Sequence, residues 1–175
     1  TPELAPSEAI RDHVAQEIDQ IEQFGKDVLS GAIKSPCGKL FTDVLWIGIG
    51  GSGLGPMLMV RALKRPNSGL PFHFFDNVDP DGMSTVLAGL GDRLRTTLVV
   101  TVSKSGGTPE PHIGMEQARL RLVAVGGSWP EQAVAITMVD SKLDQQASQQ
   151  NWLRRFDMFD WVGGRTSITS AVGLL

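Results

Sequence analysis

The chain has 175 residues, 16 basic and 19 acidic, for a net charge of −3, and 41% of them are apolar. That length and apolar content suit one compact domain and exclude a disordered chain. There is no basic excess for nucleic acid or an anionic membrane, and the apolar run Val44–Ile49 is far short of the ~20 residues a bilayer requires. The single cysteine, Cys37, excludes an internal disulfide framework and a cysteine-based zinc cluster, so no metal is expected. It fits a reducing compartment, and no secretory signal pattern opens the chain, so the expected location is the cytoplasm. Nothing beside Cys37 in the sequence argues for a low thiol pKa.

Thr1–Ser7 reads as a frayed entry, with Ser7 as the N-cap of a helix. Ile10, Val14, Ile18, Ile21 and Val28 recur at helical spacing, Arg11, Asp12, Glu17, Asp19 and Glu22 take the other face, and Gly31 closes the helix. Ser35–Lys39 is a Pro/Gly loop. Strand and helix then alternate. Val44–Ile49 is a buried strand, Leu54–Leu63 a helix, and Phe72–Phe75 a strand ending at Asp76. Asp81–Leu90 is a helix ended by Gly91, Leu98–Val102 a strand, and Pro109–Val125 a helix with proline in its first turn. Val134–Val139 is a strand, Lys142–Gln150 a polar helix, and Phe156–Val162 the fifth strand. A last helix starts at Thr166 or Ser167 and stops after about two turns, a marginal length. Both ends look cut, so the chain is expected to be part of a longer protein.

Alternation of this kind predicts an α/β fold, a three-layer αβα sandwich with a parallel sheet of about five strands, flavodoxin- or Rossmann-like, preceded by the N-terminal helix. Ligands on such sheets bind beyond the carboxyl ends of the strands, which singles out the turns after Ile49, Asp76, Val102 and Val139. His73 and Trp46 lie in strands and read as core. Met57, Met59, Met83 and Met115 read as helix packing. Trp152 and Trp161 read as packing beneath the loop that carries Arg165.

Three segments carry candidate chemistry. Gly48-Ile49-Gly50-Gly51-Ser52-Gly53-Leu54-Gly55-Pro56 places five glycines between a strand and a helix start, where free amides and the helix dipole favour an anion. The same residues spell the dinucleotide fingerprint, with Asp76 placed to hold a ribose, so a nicotinamide-dependent oxidoreductase is one reading. That fingerprint leaves the second segment unexplained. Ser103-Lys104-Ser105-Gly106-Gly107-Thr108-Pro109-Glu110 supplies three hydroxyls and a lysine at another strand-to-helix turn, suited to a phosphate dianion. Two such turns on one sheet suit a sugar phosphate held from two sides. The third segment, Val162-Gly163-Gly164-Arg165-Thr166-Ser167, offers close backbone approach and a fixed cation able to stabilise charge developing on a substrate oxygen. His112, in the first turn after the second loop, is the least bland histidine.

Together these segments, with Asp76-Asn77-Val78-Asp79-Pro80 between them, resemble the phosphoglucose isomerase family over Phe41–Leu175. The resemblance implies residues 1–40 as an N-terminal extension and 41–175 as the first sugar-isomerase (SIS) domain, incomplete at its C-terminal end. It implies a parent enzyme that interconverts glucose 6-phosphate and fructose 6-phosphate through ring opening and an enediolate, without a cofactor, as a homodimer. It assigns substrate contact to Gly51 and Ser52, and the phosphate loop to Ser103, Lys104, Ser105, Gly106, Gly107 and Thr108. Arg165 falls beside the enediolate as the catalytic cation. Ser105-Gly106-Gly107 departs from the Thr-Phe-Thr of the animal enzymes, which removes one hydroxyl from the cradle. The family's glutamate base, ring-opening histidine and a later lysine have no counterpart motif in these residues. A sugar-phosphate-sensing SIS module without catalysis is the alternative within the same fold.

Overall fold

The computed structural model describes residues 5–63 and 69–175, so most of the expected entry segment lies outside the described residues. Helix α1 spans Glu8–Ser30. Ser7 caps it, its hydroxyl accepting the Ile10 N–H at 3.3 Å, and Gly31 ends it in left-handed backbone at φ 78°. Ile21, Phe24 and Val28 form its buried face. Glu17 corrects the expectation of a solvent-facing residue, because it is only 7% exposed. The cause is a distant partner: its Oε1 accepts the Asp157 N–H at 2.7 Å.

Burial pushes the Glu17 carboxyl up, the Asp157 N–H opposes that, and the Asp157 charge adds to it. A raised folded pKa favours the fold below the unfolded value of about 4.3, and that contribution is lost as pH rises through the folded pKa. Glu17→Gln keeps an acceptor for the Asp157 amide and removes the charge. It is expected to melt a few degrees above the parent at about pH 8 and level with it at about pH 4. Thermal unfolding at the two pH values checks this; a gap that narrows as pH rises would contradict the sign.

Five strands form one wholly parallel sheet in the order β2-β1-β3-β4-β5. They are β1 Asp43–Ile47, β2 Phe72–Phe75, β3 Thr97–Val102, β4 Ala133–Thr137 and β5 Arg154–Asp157. Every residue of β1, β3 and β4 is buried, as a sheet covered on both faces requires. Leu45, Ile47, Val99 and Ala135 face one core, shared with α3 (Pro80–Leu90), α4 (Pro109–Ala124), α5 (Trp129–Gln132) and α6 (Lys142–Gln149). The alternate residues Val44, Trp46, Val100 and Ile136 face a second core, shared with α1 and α7 (Ala171–Leu174). Helix α2 (Gly51–Leu63) lies over Trp46 on this second side. The expected three-layer αβα sandwich is therefore present.

Several local expectations are corrected. The fifth strand is Arg154–Asp157, not Phe156–Val162. Its two arginines hid it: Arg154 donates to Gln20 at 2.7 Å and lies 5.5 Å over the Phe156 ring, while Arg155 pairs with Asp144 at 2.6 Å. Charged residues on an edge strand also block pairing with another chain. The last expected helix splits into a 3-10 turn, Ser167–Thr169, and α7, capped by Ser170. Trp152 does not lie under the Arg165 loop. It packs edge-on against Trp129, 5.3 Å between ring centres, in the core shared with α4. Trp161 is exposed and stacks on Phe159 at 4.6 Å. Cys37 has the Ser35 hydroxyl at 3.2 Å, and that hydrogen bond, with Lys39 and Arg95 nearby, lowers the thiol pKa against expectation.

His73 is satisfied as expected, but it is half-buried on edge strand β2 and lies outside both cores. Its Nε2 bonds Asp43 Oδ1 at 2.8 Å, and the same oxygen accepts from the Arg93 guanidinium. Asp43 Oδ2 accepts from the Thr42 hydroxyl at 2.8 Å, so a fully buried carboxylate anchors the start of β1. Among the described residues no helix is long and apolar enough to cross a membrane.

The chain leaves β1 for β2 on one side and returns to β3 on the other. Strand order reverses between β1 and β3, and loops leaving their carboxyl ends diverge to open a crevice there. The two loops flanking this point are the glycine-rich segment after Ile47 and the hydroxyl-rich segment after Val102.

Candidate functional site

The first loop is tighter than expected. Helix α2 begins at Gly51 rather than Leu54, because Gly50 takes φ 57° and its carbonyl accepts from Gly53 and Leu54 N–H. A Cβ on Gly48 would lie 2.6 Å from the Ser52 oxygen, and one on Gly53 would lie 2.3 Å from the Gly48 oxygen. These two glycines are required by closure of the turn. The fingerprint spacing therefore needs no dinucleotide to explain it. Gly51 and Ser52 sit half-buried in the first helical turn, beside the crevice.

Pro56 lies within α2 and has no N–H for the Ser52 carbonyl four residues earlier. The indole N–H of Trp46, buried in β1, takes that carbonyl at 2.7 Å. The bond satisfies an acceptor that the helix alone would leave orphaned.

The second loop leaves β3 at Ser103, whose N–H extends the ladder to Ile136 O at 3.1 Å. The Ser103 side chain is buried, and its Oγ makes no hydrogen bond to a described residue. Ser105 Oγ accepts the Gly107 N–H at 3.2 Å, so its O–H remains free to donate. Gly106 has φ 65°, and a Cβ there would lie 2.2 Å from the Leu143 amide, so the loop rests directly on the start of α6. Thr108 is the N-cap of α4, yet its hydroxyl makes no capping bond. Pro109 and Pro111 remove two of the free amides that a helix start ordinarily offers. The hydroxyls of Ser105 and Thr108 thus stand beside the remaining loop amides as donors of this turn. Lys142 was not anticipated: its Cδ lies 3.9 Å from the position a Gly107 Cβ would take. Its place at the first residue of α6, in the turn after the fourth strand, was the available signal. His112 is exposed and hydrogen-bonds no described residue, so its geometry adds nothing to a functional reading.

The third loop is gripped by the other two. A Cβ on Gly51 would sit 1.6 Å from the Gly164 oxygen, so the loop crosses directly over the start of α2. The Ser167 hydroxyl lies 3.2 Å from Gly51 O and 3.0 Å from Gly164 O. From the opposite side, the Lys104 ammonium donates to Asp160 O and, at 2.9 Å, to Val162 O. Lys104 departs furthest from expectation, since its ammonium is engaged by backbone carbonyls within the protein. Arg165 is exposed, and no hydrogen bond or ion pair joins its guanidinium to another described residue. The three motif segments are one interlocked unit at the switch point of the sheet. A groove between α3 and α4, lined by Ser84, Leu87, Gln117 and Arg121, lies outside it.

A sequence model of the family described as phosphoglucose isomerase matches residues 4–175. The chain belongs to the phosphoglucose isomerase family. It is 76% identical over 175 residues to the glucose-6-phosphate isomerase of Parasynechococcus marenigrum, covering 100% of this chain and 32% of that protein. It is 72% identical over 174 residues to a glucose-6-phosphate isomerase of Prochlorococcus marinus, covering 99% and 32%. The crystal structure of a glucose-6-phosphate isomerase from Chlamydia trachomatis superposes with a TM-score of 0.81 at 35% identity, over 97% of this chain and 30% of that one. A hypothetical protein from Thermus thermophilus superposes with a TM-score of 0.75 at 31% identity, over 93% and 37%. The chain thus spans about a third of the length of the curated family members it matches.

Proposed function

We propose that this segment supplies the phosphate-holding loops and one catalytic cation of an aldose–ketose isomerase that interconverts glucose 6-phosphate and fructose 6-phosphate. The carrying observation is the interlock of the three loops at the switch point, which gives one site instead of three separate turns. In this reading Ser103, Ser105 and Thr108 donate hydroxyls to the phosphate, Gly106 and Gly107 shape the cradle, and Lys142 stands alongside. Gly51 and Ser52 contact the sugar from the first loop.

The reaction opens the ring, and a base takes the proton from C2 and returns one to C1 through a cis-enediolate. Arg165 faces the developing oxyanion, where a fixed cation that is not already paired stabilises charge most in the transition state. The base and the ring-opening histidine come from the remaining two-thirds of the protein. The reading also takes residues 41–175 as the first SIS domain behind an N-terminal extension, and the whole protein as a cytoplasmic homodimer. No cofactor takes part in this chemistry.

The test is calorimetric titration of the full-length protein with fructose 6-phosphate, with NADH as the control titrant. Thr108→Ala removes one hydrogen bond to a charged group, so the Kd for fructose 6-phosphate is expected to rise about tenfold or more. Binding of NADH, weakened by Asp76→Ala and unaffected by Thr108→Ala, would instead support the oxidoreductase reading.

A further inference from the structure

We infer that Lys104 is a positioning residue, whose ammonium holds the Arg165 loop against the phosphate loop instead of binding the phosphate itself. This rests on the isomerase reading above. The root of Lys104 is fixed to β4, its carbonyl accepting from Met138 N–H at 3.1 Å and from the Thr137 hydroxyl at 3.3 Å. From that fixed root the side chain reaches across to Asp160 O and Val162 O, so two of its three donors are occupied by backbone. One donor is left over, so the bonds the ammonium makes within the protein are to the loop.

The tether grips the loop immediately before its most pliant stretch. Gly163 and Gly164 come directly after Val162, and neither has a side chain to stiffen the path to Arg165. On the far side, Ser167 fastens the loop to Gly51 O and Gly164 O. Arg165 is thus bracketed, by the Lys104 tether before it and the Ser167 bridge after it. Removing the tether frees one side of the bracket while leaving the phosphate hydroxyls in place. Misplacement of an electrostatic group by about an ångström is enough to lower kcat strongly.

The experiment compares kinetics for fructose 6-phosphate and competitive inhibition by inorganic phosphate in the full-length protein. Lys104→Met is expected to lower kcat about tenfold or more while the phosphate inhibition constant moves less than about twofold. Lys104→Arg, which also presents two donors, is expected to recover kcat to within about threefold of the parent. In an Arg165→Ala background, Lys104→Met is expected to cost nothing further in kcat, since both act through one group. Thr108→Ala serves as the variant that does raise the phosphate inhibition constant.

A large rise in that constant for Lys104→Met with kcat intact would make the ammonium a phosphate ligand and overturn the inference. So would losses from Lys104→Met and Arg165→Ala that multiply. Arg165→Ala with unchanged kcat would instead sink the catalytic reading of Arg165, and the inference with it, through a variant that does not touch Lys104. Should Lys104→Met fail to fold, Lys104→Leu, which likewise has no donor, carries the same comparison.

Discussion

Gly51→Ala is expected to reduce kcat of the full-length protein roughly a hundredfold in the proposed isomerisation. A methyl group at this position would come within 1.6 Å of the Gly164 oxygen, and the obstructing atom is backbone, which no rotamer change can move aside. Either the first turn of α2 or the loop carrying Arg165 must shift by more than an ångström, and both hold proposed substrate contacts. The comparison that isolates this effect is Gly89→Ala, exposed in the last turn of α3, where the new methyl would meet nothing within 4 Å. There the change removes a flexible residue from a helix and is expected to stabilise by about 0.5–1 kcal/mol with kcat unaltered. Equal kinetics for Gly51→Ala and Gly89→Ala would show that the three loops are not interlocked in the working enzyme.

The second large effect falls on stability. Asp43→Ala is expected to cost about 3 kcal/mol, which for a domain of this size lowers Tm by about 6–12 °C. Asp43 is fully buried and serves His73, Arg93 and Thr42 together. Its loss removes the shared acceptor of all three. The figure lies at the low end of the range for a broken buried ion pair because the Arg93 side chain is half exposed and recovers water.

The same site sets an acid limb. Burial works to raise the Asp43 pKa, but the His73 and Thr42 hydrogen bonds and the Arg93 charge together outweigh it and hold the carboxyl below its usual value. Its contribution is therefore present above the unfolded value of about 3.9 and is lost as pH falls through the lower folded one. Asp43→Asn should flatten the fall in Tm below about pH 4. A parent and an Asn variant with parallel acid limbs would show that Asp43 does not set the acid limb. Because Asp43 opens β1 at the end opposite the crevice, KM should stay unchanged in both variants.

The three chemical segments and their order were legible in the sequence because each is a run of unusual residues at a strand end. The apolar runs at Val44–Ile49 and Leu98–Val102 revealed strands buried on both faces, the first of which ends at Ile47. What remained hidden depended on partners far away in the chain. Glu17 resembled any other helix-surface acid, since its partner is a backbone amide at Asp157. The contacts of Lys104 were hidden in the same way, since the backbone carbonyls of residues 160 and 162 leave no signature in side-chain chemistry. β5 was displaced in expectation because Arg154 and Arg155 break the apolar pattern at a sheet edge. The crevice itself required the strand order, which local patterning does not encode.

Pro56 divides the hydrogen-bond ladder of α2 into two stretches. The distal stretch carries Leu58 and Leu63 in solvent and only half-buries Met57, Met59 and Val60, so its opening costs its own bonds and little packing. The proximal stretch is moored through the Ser52 carbonyl to Trp46, in the middle of a buried strand. Opening there must disturb the sheet, so the two stretches belong to different cooperative units within a single helix. Amide exchange from 57 onward and from the Gly51 turn should accordingly follow separate free energies, the second close to that of global unfolding. The placing of the Gly51 turn is thereby tied to the stability of the strand beneath it.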